Sequence, residues 1–375
     1  MRIVQPPTAQ RTGTSAGTVS GVLGDRTCDF DVPIVIVSYG NPQSVVTCAR
    51  ALSRLATEPK HEIFVAENAG AAAFDALAAE LLADSGPCVA ASPADTTPIA
   101  TSVRQQSLRL LHDDGTPGPY IHLAEMPENV GYAGGVNAWL RPLLKVKGWR
   151  GAWILNPDTE PEPGALVELA VHAATRRKSL VGSRLVYKDN RIDTRGMVWR
   201  KMRGAVLGID KHAPAAAEPD VEFVERLIDA PCGASTYATR ELIDHIGLMR
   251  EQYFLYFEDL EWGVRAKEHG RSIGYAHSSV VLHDGGASIG SADVRSRRSR
   301  LSVYLDSRNR LLFVREHHPR WLLWSIVIGL AECGAYVAVG SAPNFFAALR
   351  GLIAGIAGET GRPQSFSNLA QPQRF

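Results

Sequence analysis

The stretch VPIVIVSYGNPQSVVTCARALSRLATEPKHEIFVAEN, residues 32–68, decides the fold. VPIVIVSY (32–39) is a nearly continuous β-branched run, as expected of a strand buried on both faces. Gly40, Asn41 and Pro42 turn the chain, and Val45, Cys48, Ala49, Leu52 and Leu55 follow at helical spacing. HEIFVAEN (61–68) predicts the next strand. Strand, helix and strand make a βαβ unit, so an α/β sheet with parallel strands is expected.

Working outward, residues 1–30 are rich in Thr, Ser, Gly, Pro and Gln and read as a disordered tail. On the other side, residues 69–118 begin with a helix-like AAAFDALAAELLA and contain a loop-like ASPADTTPIATS (91–102), and read as an insertion. Regularity returns with PYIHLAEM (119–126) and the glycine-rich NVGYAGGVN (129–137), which opens a helix. GAWILNPDTEPEPGALVELAVHAA (151–174) predicts strand, turn and helix, with Pro161 and Pro163 near the helix start. SLVGSRLVY (179–187) predicts a strand and HAPAAAEPD (212–220) a loop. An α/β domain over 31–290 is therefore expected, followed by a basic and apolar helical extension over 291–375.

Composition excludes some function classes. The chain has 375 residues, 45% of them hydrophobic, enough for a large core. Its 40 basic and 39 acidic residues nearly cancel, so bulk charge points to no nucleic-acid partner. Cysteines 28, 48, 88, 232 and 333 show no CxxC spacing, which fits a reducing compartment rather than a zinc knot or disulfide framework. The first residues hold no apolar leader, so the expected place of action is the cytoplasm.

Four segments could carry chemistry. In LNPDT (155–159), Asp158 follows a buried-type strand, where open α/β sheets bind ligands, and a carboxylate there can hold a divalent cation. A plain Pro-Asp turn explains the same residues. In NVGYAGGVN, Gly131, Gly134 and Gly135 let backbone approach a ligand and a helix N-terminus favours anions, or they simply make a tight turn. FLYFEDLEWGVRA (254–266) crowds Glu258, Asp259 and Glu261 behind an aromatic run. Acids in a first helical turn are stabilised by about 0.3–1 kcal/mol each, so a helix start accounts for part of the cluster. The aromatic run would also carry a carboxylate to the core's edge, where a raised pKa suits a base. His283 ends the strand-like SVVLH and is either a turn histidine or a ligand beside Asp158, a pair suited to Mn²⁺ or Mg²⁺.

In their order these segments resemble the family 2 glycosyltransferases, in particular the rhamnosyltransferase-like branch. The correspondence runs from Val32 to Ser288 and more loosely through YLDSRNRLLFVREH (304–317). The resemblance implies a GT-A fold: Rossmann-like, with a mixed, mostly parallel sheet flanked by helices. It also implies a nucleotide-diphosphate sugar donor, a divalent cation (Mg²⁺ or Mn²⁺) and inversion at the anomeric carbon. By motif, Asp158 takes the metal-binding acidic position, with Asn156 where the first Asp of a DxD would stand, and His283 matches a metal-ligand histidine of some branches. Asp259 takes the position of the catalytic base, with Glu258 beside it. The donor side would comprise Ser38, Tyr39, Glu67, Asn68, Asn129, Gly131, Gly134, Gly135, Asn156 and Asp158. Cys232, Gly233, Glu261 and Trp262 would face the acceptor. Glu67 stands where the family usually has Asp before Asn in the nucleotide-base pocket.

The expected function is sugar transfer to a glycan or lipid-linked acceptor in cell-surface polysaccharide synthesis. A sugar-phosphate nucleotidyltransferase is the alternative enzyme, although VSYGNPQSVV lacks the lysine-rich activating loop that class would show. A catalytically silent membrane-associated scaffold is the third reading. Residues 291–320 hold eight arginines against Asp293, Asp306 and Glu316, and WLLWSIVIGLAECGAYVAVG (321–340) follows. These 20 residues have the length of a span, but Glu332 inside would cost on the order of 3 kcal/mol. The expectation is therefore a peripheral site on the inner face of the cell membrane, with Arg295–Arg320 facing anionic lipid.

Overall fold

A computed structural model describes residues 26–91, 100–284 and 298–364. Most of the tail expected at 1–30, most of the loop at 91–102, the glycines after His283, and Arg295 and Arg297 lie outside the described residues. The chain begins with β1 (Arg26–Thr27), β2 (Val32–Ser38), α1 (Pro42–Leu52), β3 (His61–Glu67) and α2 (Ala71–Leu82). Next come β4 (Cys88–Ala90), β5 (Arg104–Leu111), β6 (Pro117–Glu125), α3 (Gly131–Leu143), β7 (Val146–Lys147), β8 (Gly151–Leu155), β9 (Thr159–Pro161) and α4 (Ala165–Thr175). Then follow β10 (Leu180–Val186), β11 (Ile192–Thr194), the hairpin β12 (Met197–Arg200) and β13 (Ala205–Gly208), and α5 (Val221–Leu227). The last parts are β14 (Ser235–Thr239), α6 (Arg240–Ile246), α7 (Glu258–Glu268), β15 (Ile273–His283), α8 (Arg300–His317), α9 (Leu322–Ala338) and α10 (Ala342–Ala357).

One large sheet organises the domain, in the order β4-β5-β6-β3-β2-β8-β14-β10-β15-β9, with β11 on β10. The first long strand, β2, lies between β3 and β8 and is parallel to both, with Ile34 opposite Ile63 and Trp153. β14 is the antiparallel strand inside this run, paired with β8 and β10. Every residue of β2 is buried. Val32, Ile34 and Ile36 join the core on one face, and Val35 and Val37 the core on the other. Each such side chain contributes about 1.5–3 kcal/mol by leaving water. The expected α/β architecture, a mixed and mostly parallel sheet flanked by helices, is what the chain adopts.

Two expectations are corrected. Residues 26–30 are part of the fold rather than tail: β1 pairs with β7, and Cys28 and Phe30 are buried. The segment after residue 69 continues the sheet: α2 forms as expected, and β4 and β5 extend the edge beyond β6 in antiparallel pairing. Their mixed polar and apolar residues (RQQSLRLL in β5) gave no clear strand signal because one face of this edge is exposed.

The basic C-terminal segment is also not what charge alone predicts. Arg308 and Arg310 are buried on α8. Arg308 donates through Nη2 to the Tyr253 carbonyl (2.9 Å) and through Nη1 to that of Gly361 (2.8 Å). Arg310 pairs with Glu332 of α9, so the acid inside the apolar helix has a partner. α8 thus works as an internal strut rather than a lipid-facing surface. Arg300, Arg315 and Arg320 stay exposed.

Candidate active site

Carboxyl ends of parallel strands collect loops at one edge of the sheet, where such folds hold their ligands. Asp158 follows β8, and His283 is the last residue of β15. Asp158 Oδ1 and His283 Nε2 stand 3.7 Å apart, near the spacing of two ligands on one ion. The Asp284 amide donates to the Asp158 carbonyl (3.1 Å), tying the two loops together.

Behind His283 lies Asp193, next to Ile192 on β11, which sequence reasoning missed. His283 Nδ1 is 2.7 Å from Asp193 Oδ2, and the Tyr187 hydroxyl donates to Asp193 Oδ1 (2.5 Å). An ionised carboxylate only accepts, so Nδ1 carries the hydrogen and Nε2 faces Asp158. Burial lowers the pKa of His283, but Asp193 and Asp158 outweigh it and the net direction is up. Burial would raise Asp193, and the bond to His283 brings it below its ordinary value. An acid 90 residues away in the chain leaves no sequence signal for such a pairing.

The residues here fit a divalent cation. Asp158 gives a nearly buried carboxylate and His283 an imidazole nitrogen oriented by a carboxylate behind it. Asn156 adds an amide oxygen, Oδ1, that is buried without a hydrogen-bond partner. A mixed oxygen and nitrogen set of this kind suits Mn²⁺ or Mg²⁺. The Glu261, Glu316 and His317 cluster also has a ligand-like spacing. Arg250 already bonds both of its carboxylates, at 3.0 and 2.6 Å, so it reads as an ion-pair network.

Asp259 opens α7. Its Oδ2 accepts the Gly233 amide (2.9 Å) and its Oδ1 the Leu260 amide (2.8 Å). Burial raises its pKa, partly offset by these two amides. Glu258 is more deeply buried, and its Oε2 has no partner. Burial first, then the neighbouring Asp259, hold it well above the carboxylate range. Glu258 is pushed up further than Asp259, so Asp259 is the acid of the pair that ionises first.

The backbone before this pair is strained. Phe254, Tyr256 and Phe257 all have φ between 65° and 75°. Left-handed non-glycine residues cost of order 1–3 kcal/mol each and persist only where surroundings enforce them. Here the side-chain amide of Asn309 on α8 donates to the carbonyls of Tyr253, Leu255 and Tyr256 at 2.8–2.9 Å. The aromatic run of the sequence is therefore a tightly wound loop rather than the simple approach to a helix.

Tyr132 and Cys232 lie within electrostatic reach of both halves. The Tyr132 hydroxyl donates to the Gly233 carbonyl (2.8 Å), beside Asp259. Burial, then the neighbouring acids Glu258 and Asp259, with Asp158 also contributing, raise its pKa. Burial raises the Cys232 thiol as well, with Asp193, Asp259 and Asp158 adding to it. The structure thus gathers Asp158, Asp193, His283, Cys232, Gly233, Tyr132 and Asp259 in one neighbourhood.

Several of the residues expected on the donor side already bond within the protein. Glu67 accepts the Ser38 hydroxyl (2.6 Å) and the amides of Gly40 and Ala69 (both 2.9 Å), so it shapes the loop after β2. Tyr39 is half-buried in that loop. Asn68 donates to the Gly131 carbonyl (2.9 Å), and Asn129 caps the Gly131 amide (3.0 Å). Gly131 and Gly135 pack closely against protein. A Cβ on Gly131, whose φ is +76°, would lie 2.2 Å from the Phe254 carbonyl, and one on Gly135 would lie 2.8 Å from Val37. Glu261 and Trp262 are corrected as acceptor-facing residues. Glu261 is fully buried against Arg265 (2.7 Å), and Trp262 packs in the core with Nε1 bonded to the Gly247 carbonyl (3.1 Å). Helical spacing turns Glu261 away from Asp259, whereas Trp262 shares a face with Asp259 and lines the same small cavity, but is fully buried.

No family model matches the chain. It is 27% identical over 207 residues to the low-salt glycan biosynthesis hexosyltransferase Agl10 of Haloferax volcanii, covering 54% of this chain and 60% of that protein. It is 26% identical over 245 residues to the N-acetylglucosaminyl-diphospho-decaprenol L-rhamnosyltransferase of Mycobacterium tuberculosis, covering 58% of this chain and 78% of that one. Solved structures that overlay on it include the mannosyltransferase PcManGT from Pyrobaculum calidifontis in complex with GDP-Man and Mn²⁺ (TM-score 0.45, 13% identity, 88% of each chain). S. aureus TarS 1–349 in complex with UDP-GlcNAc overlays at TM-score 0.49 and 11% identity, over 87% of this chain and 82% of that one. At these scores neither overlay assigns a role to any residue. In sequence and in the order of its motifs the chain is similar to glycosyltransferases, a hexosyltransferase and an L-rhamnosyltransferase among them, and it spans about three fifths of the first of these.

Proposed function

We propose that the protein transfers a hexose, rhamnose-like or other, from a nucleotide-diphosphate donor to a glycan or lipid-linked acceptor, with inversion. The observation that carries the reading is that Tyr132 and Cys232 lie within electrostatic reach of both Asp259 and Asp158. One neighbourhood thus holds an anchored carboxylate, Asp259, and the Asp158–His283 pair. Displacement at the anomeric carbon needs these two parts: a base for the attacking hydroxyl, and positive charge where the leaving group departs.

An acceptor hydroxyl is a weak nucleophile because its pKa lies far above neutral. Asp259 takes its proton as the new C–O bond forms and the bond from the anomeric carbon to the diphosphate breaks. Gly233 and Leu260 hold both carboxylate oxygens in place, and protonated Glu258 keeps the surroundings from adding a second charge. On the leaving side, Asp158 and His283, with Asn156 nearby, would hold Mn²⁺ or Mg²⁺. Such an ion neutralises charge growing on the departing nucleoside diphosphate. Asp193 keeps the His283 ring oriented.

The acceptor class also supports work at the cytoplasmic face of the cell membrane. Neither named relative is a nucleotidyltransferase, and the Asp259 arrangement has no use in a silent scaffold. The test is a thermal-shift screen of nucleotide sugars with and without Mn²⁺ or Mg²⁺, followed by donor hydrolysis. A cation-dependent rise in melting temperature with one sugar nucleotide, and its hydrolysis, is expected. Equal behaviour with sugar-1-phosphate plus nucleoside triphosphate would instead favour the nucleotidyltransferase.

A further inference from the structure

Nine of the fifteen exposed large apolar side chains among the described residues lie between Leu323 and Ile356. On α9, Leu323, Val327, Leu330 and Val337 recur at helical spacing and form one outward stripe, with Leu323 79% exposed. The opposite stripe, Ser325, Gly329, Cys333 and Tyr336, faces the protein. α10 adds Phe346, Ile353 and Ile356 to the exposed surface. Only 22% of the most apolar window of Pro319–Ala338 is buried, whereas a core helix of this composition would be mostly buried. Unpartnered apolar surface of this extent marks an interaction site.

Charge identifies the partner. The turn of the β12–β13 hairpin carries exposed Arg200, Lys201 and Arg203 around Met202, itself 64% exposed. This turn is fixed to the apolar face, because Trp324 Nε1 donates to the Met202 carbonyl (3.0 Å). Arg320 precedes α9 and Arg350 lies on α10, both exposed. Along α9 and α10 the one acidic residue is Glu332, which is paired with the buried Arg310. An apolar face rimmed by cations, whose single acid is neutralised by an arginine, complements an anionic bilayer surface.

We infer that the α9–α10 face and the basic β12–β13 turn together dock the protein flat on anionic lipid. One side of α9 is held by protein, so the helix lies in the interface plane and does not cross the bilayer. Phe254 packs in the same cluster as Cys333, Tyr336 and Ala347. Docking therefore holds the strained loop that leads to Asp259 near the headgroups, where a lipid-linked acceptor presents its hydroxyl. Only this last step rests on the proposed transferase reading.

The test is co-sedimentation of the full chain with phosphatidylcholine vesicles, with and without phosphatidylglycerol. Two variants accompany it, Leu323→Glu/Val327→Glu and Arg200→Glu/Lys201→Glu/Arg203→Glu, with donor hydrolysis and gel filtration in parallel. Binding to the anionic vesicles, at least about tenfold weaker with neutral ones and in both variants, is expected. Hydrolysis of a soluble donor should be unchanged in both variants. Wild-type protein that ignores anionic vesicles, or variants that bind as well as wild type, overturns the inference. A wild-type dimer that the apolar variant converts to monomer also overturns it, since a second copy then covers the face. Vesicle binding without donor hydrolysis in the wild type would overturn the transferase reading and leave the docking surface standing.

Discussion

The side-chain nitrogen of Asn309 lies 2.9 Å from the carbonyl oxygen of Tyr256, two residues before Glu258. Asn309 is fully buried, and the same nitrogen serves the carbonyls of Tyr253 and Leu255. A residue from α8 thereby stabilises a left-handed run that the backbone resists. Asn309→Ala should lose about 2–4 kcal/mol, from orphaned carbonyls and released strain. Denaturant unfolding checks the stability. Transfer should fall much further than donor affinity, because the loop positions Asp259 rather than the donor side. Equal loss of both would show only general damage.

Gly131 meets the same loop from the other side. Its positive φ and the 2.2 Å approach to the Phe254 carbonyl leave no room for a methyl group. Gly131→Ala should destabilise by about 2 kcal/mol or more, through left-handed strain and displacement of Phe254. A denaturation midpoint equal to that of wild type would show that the loop can yield.

Asp193 orients His283 without touching the expected cation position. Asp193→Asn should keep the fold and weaken Mn²⁺ binding by about 10–100-fold, the usual effect of losing such a partner. Titration of Mn²⁺ followed by thermal shift reads this without reference to activity. Unchanged affinity would leave His283 outside the cation site.

A structural acid gives an independent pH test. Glu225 bonds His172 at 2.7 Å and Lys178 at 2.6 Å. Burial would raise its pKa, but these partners and the Tyr275 amide bring it down to about 2. A depressed carboxyl binds its proton more weakly folded than unfolded. Its stabilisation is therefore present above the unfolded value of about 4.3 and lost as pH falls toward 2. Glu225→Gln should flatten that part of the stability curve, measured by urea unfolding from pH 6 to pH 3.

How much of this was legible in the sequence follows from range. β2, α1 and β3 declare themselves through local periodicity, as do β6, β8 and α4. The edge strands β4 and β5 do not, because half-exposed residues carry a weaker pattern. Asp158, His283 and Asp259 could be picked from short motifs at strand and helix ends. Their partners could not: Asp193 is 90 residues from His283, and Asn309 is 53 from Tyr256. Charge counting misread the C-terminus for the same reason. An arginine on a buried helix face looks in sequence like one facing lipid, and only packing reveals Arg308 and Arg310 as internal.

The central claim is that Asp259, ionised, receives the acceptor's proton. Burial raises its pKa, so the base is lost as pH falls through a value above the ordinary carboxylate near 4. The most direct measurement is the pH dependence of transfer for wild type and Asp259→Asn, with folding checked by circular dichroism. Wild type should show an acid limb centred above the ordinary carboxylate value. The variant should be slower by about 10²–10⁴-fold, lack that limb and still bind donor. A folded Asp259→Asn protein with near wild-type turnover and the same acid limb would contradict the account.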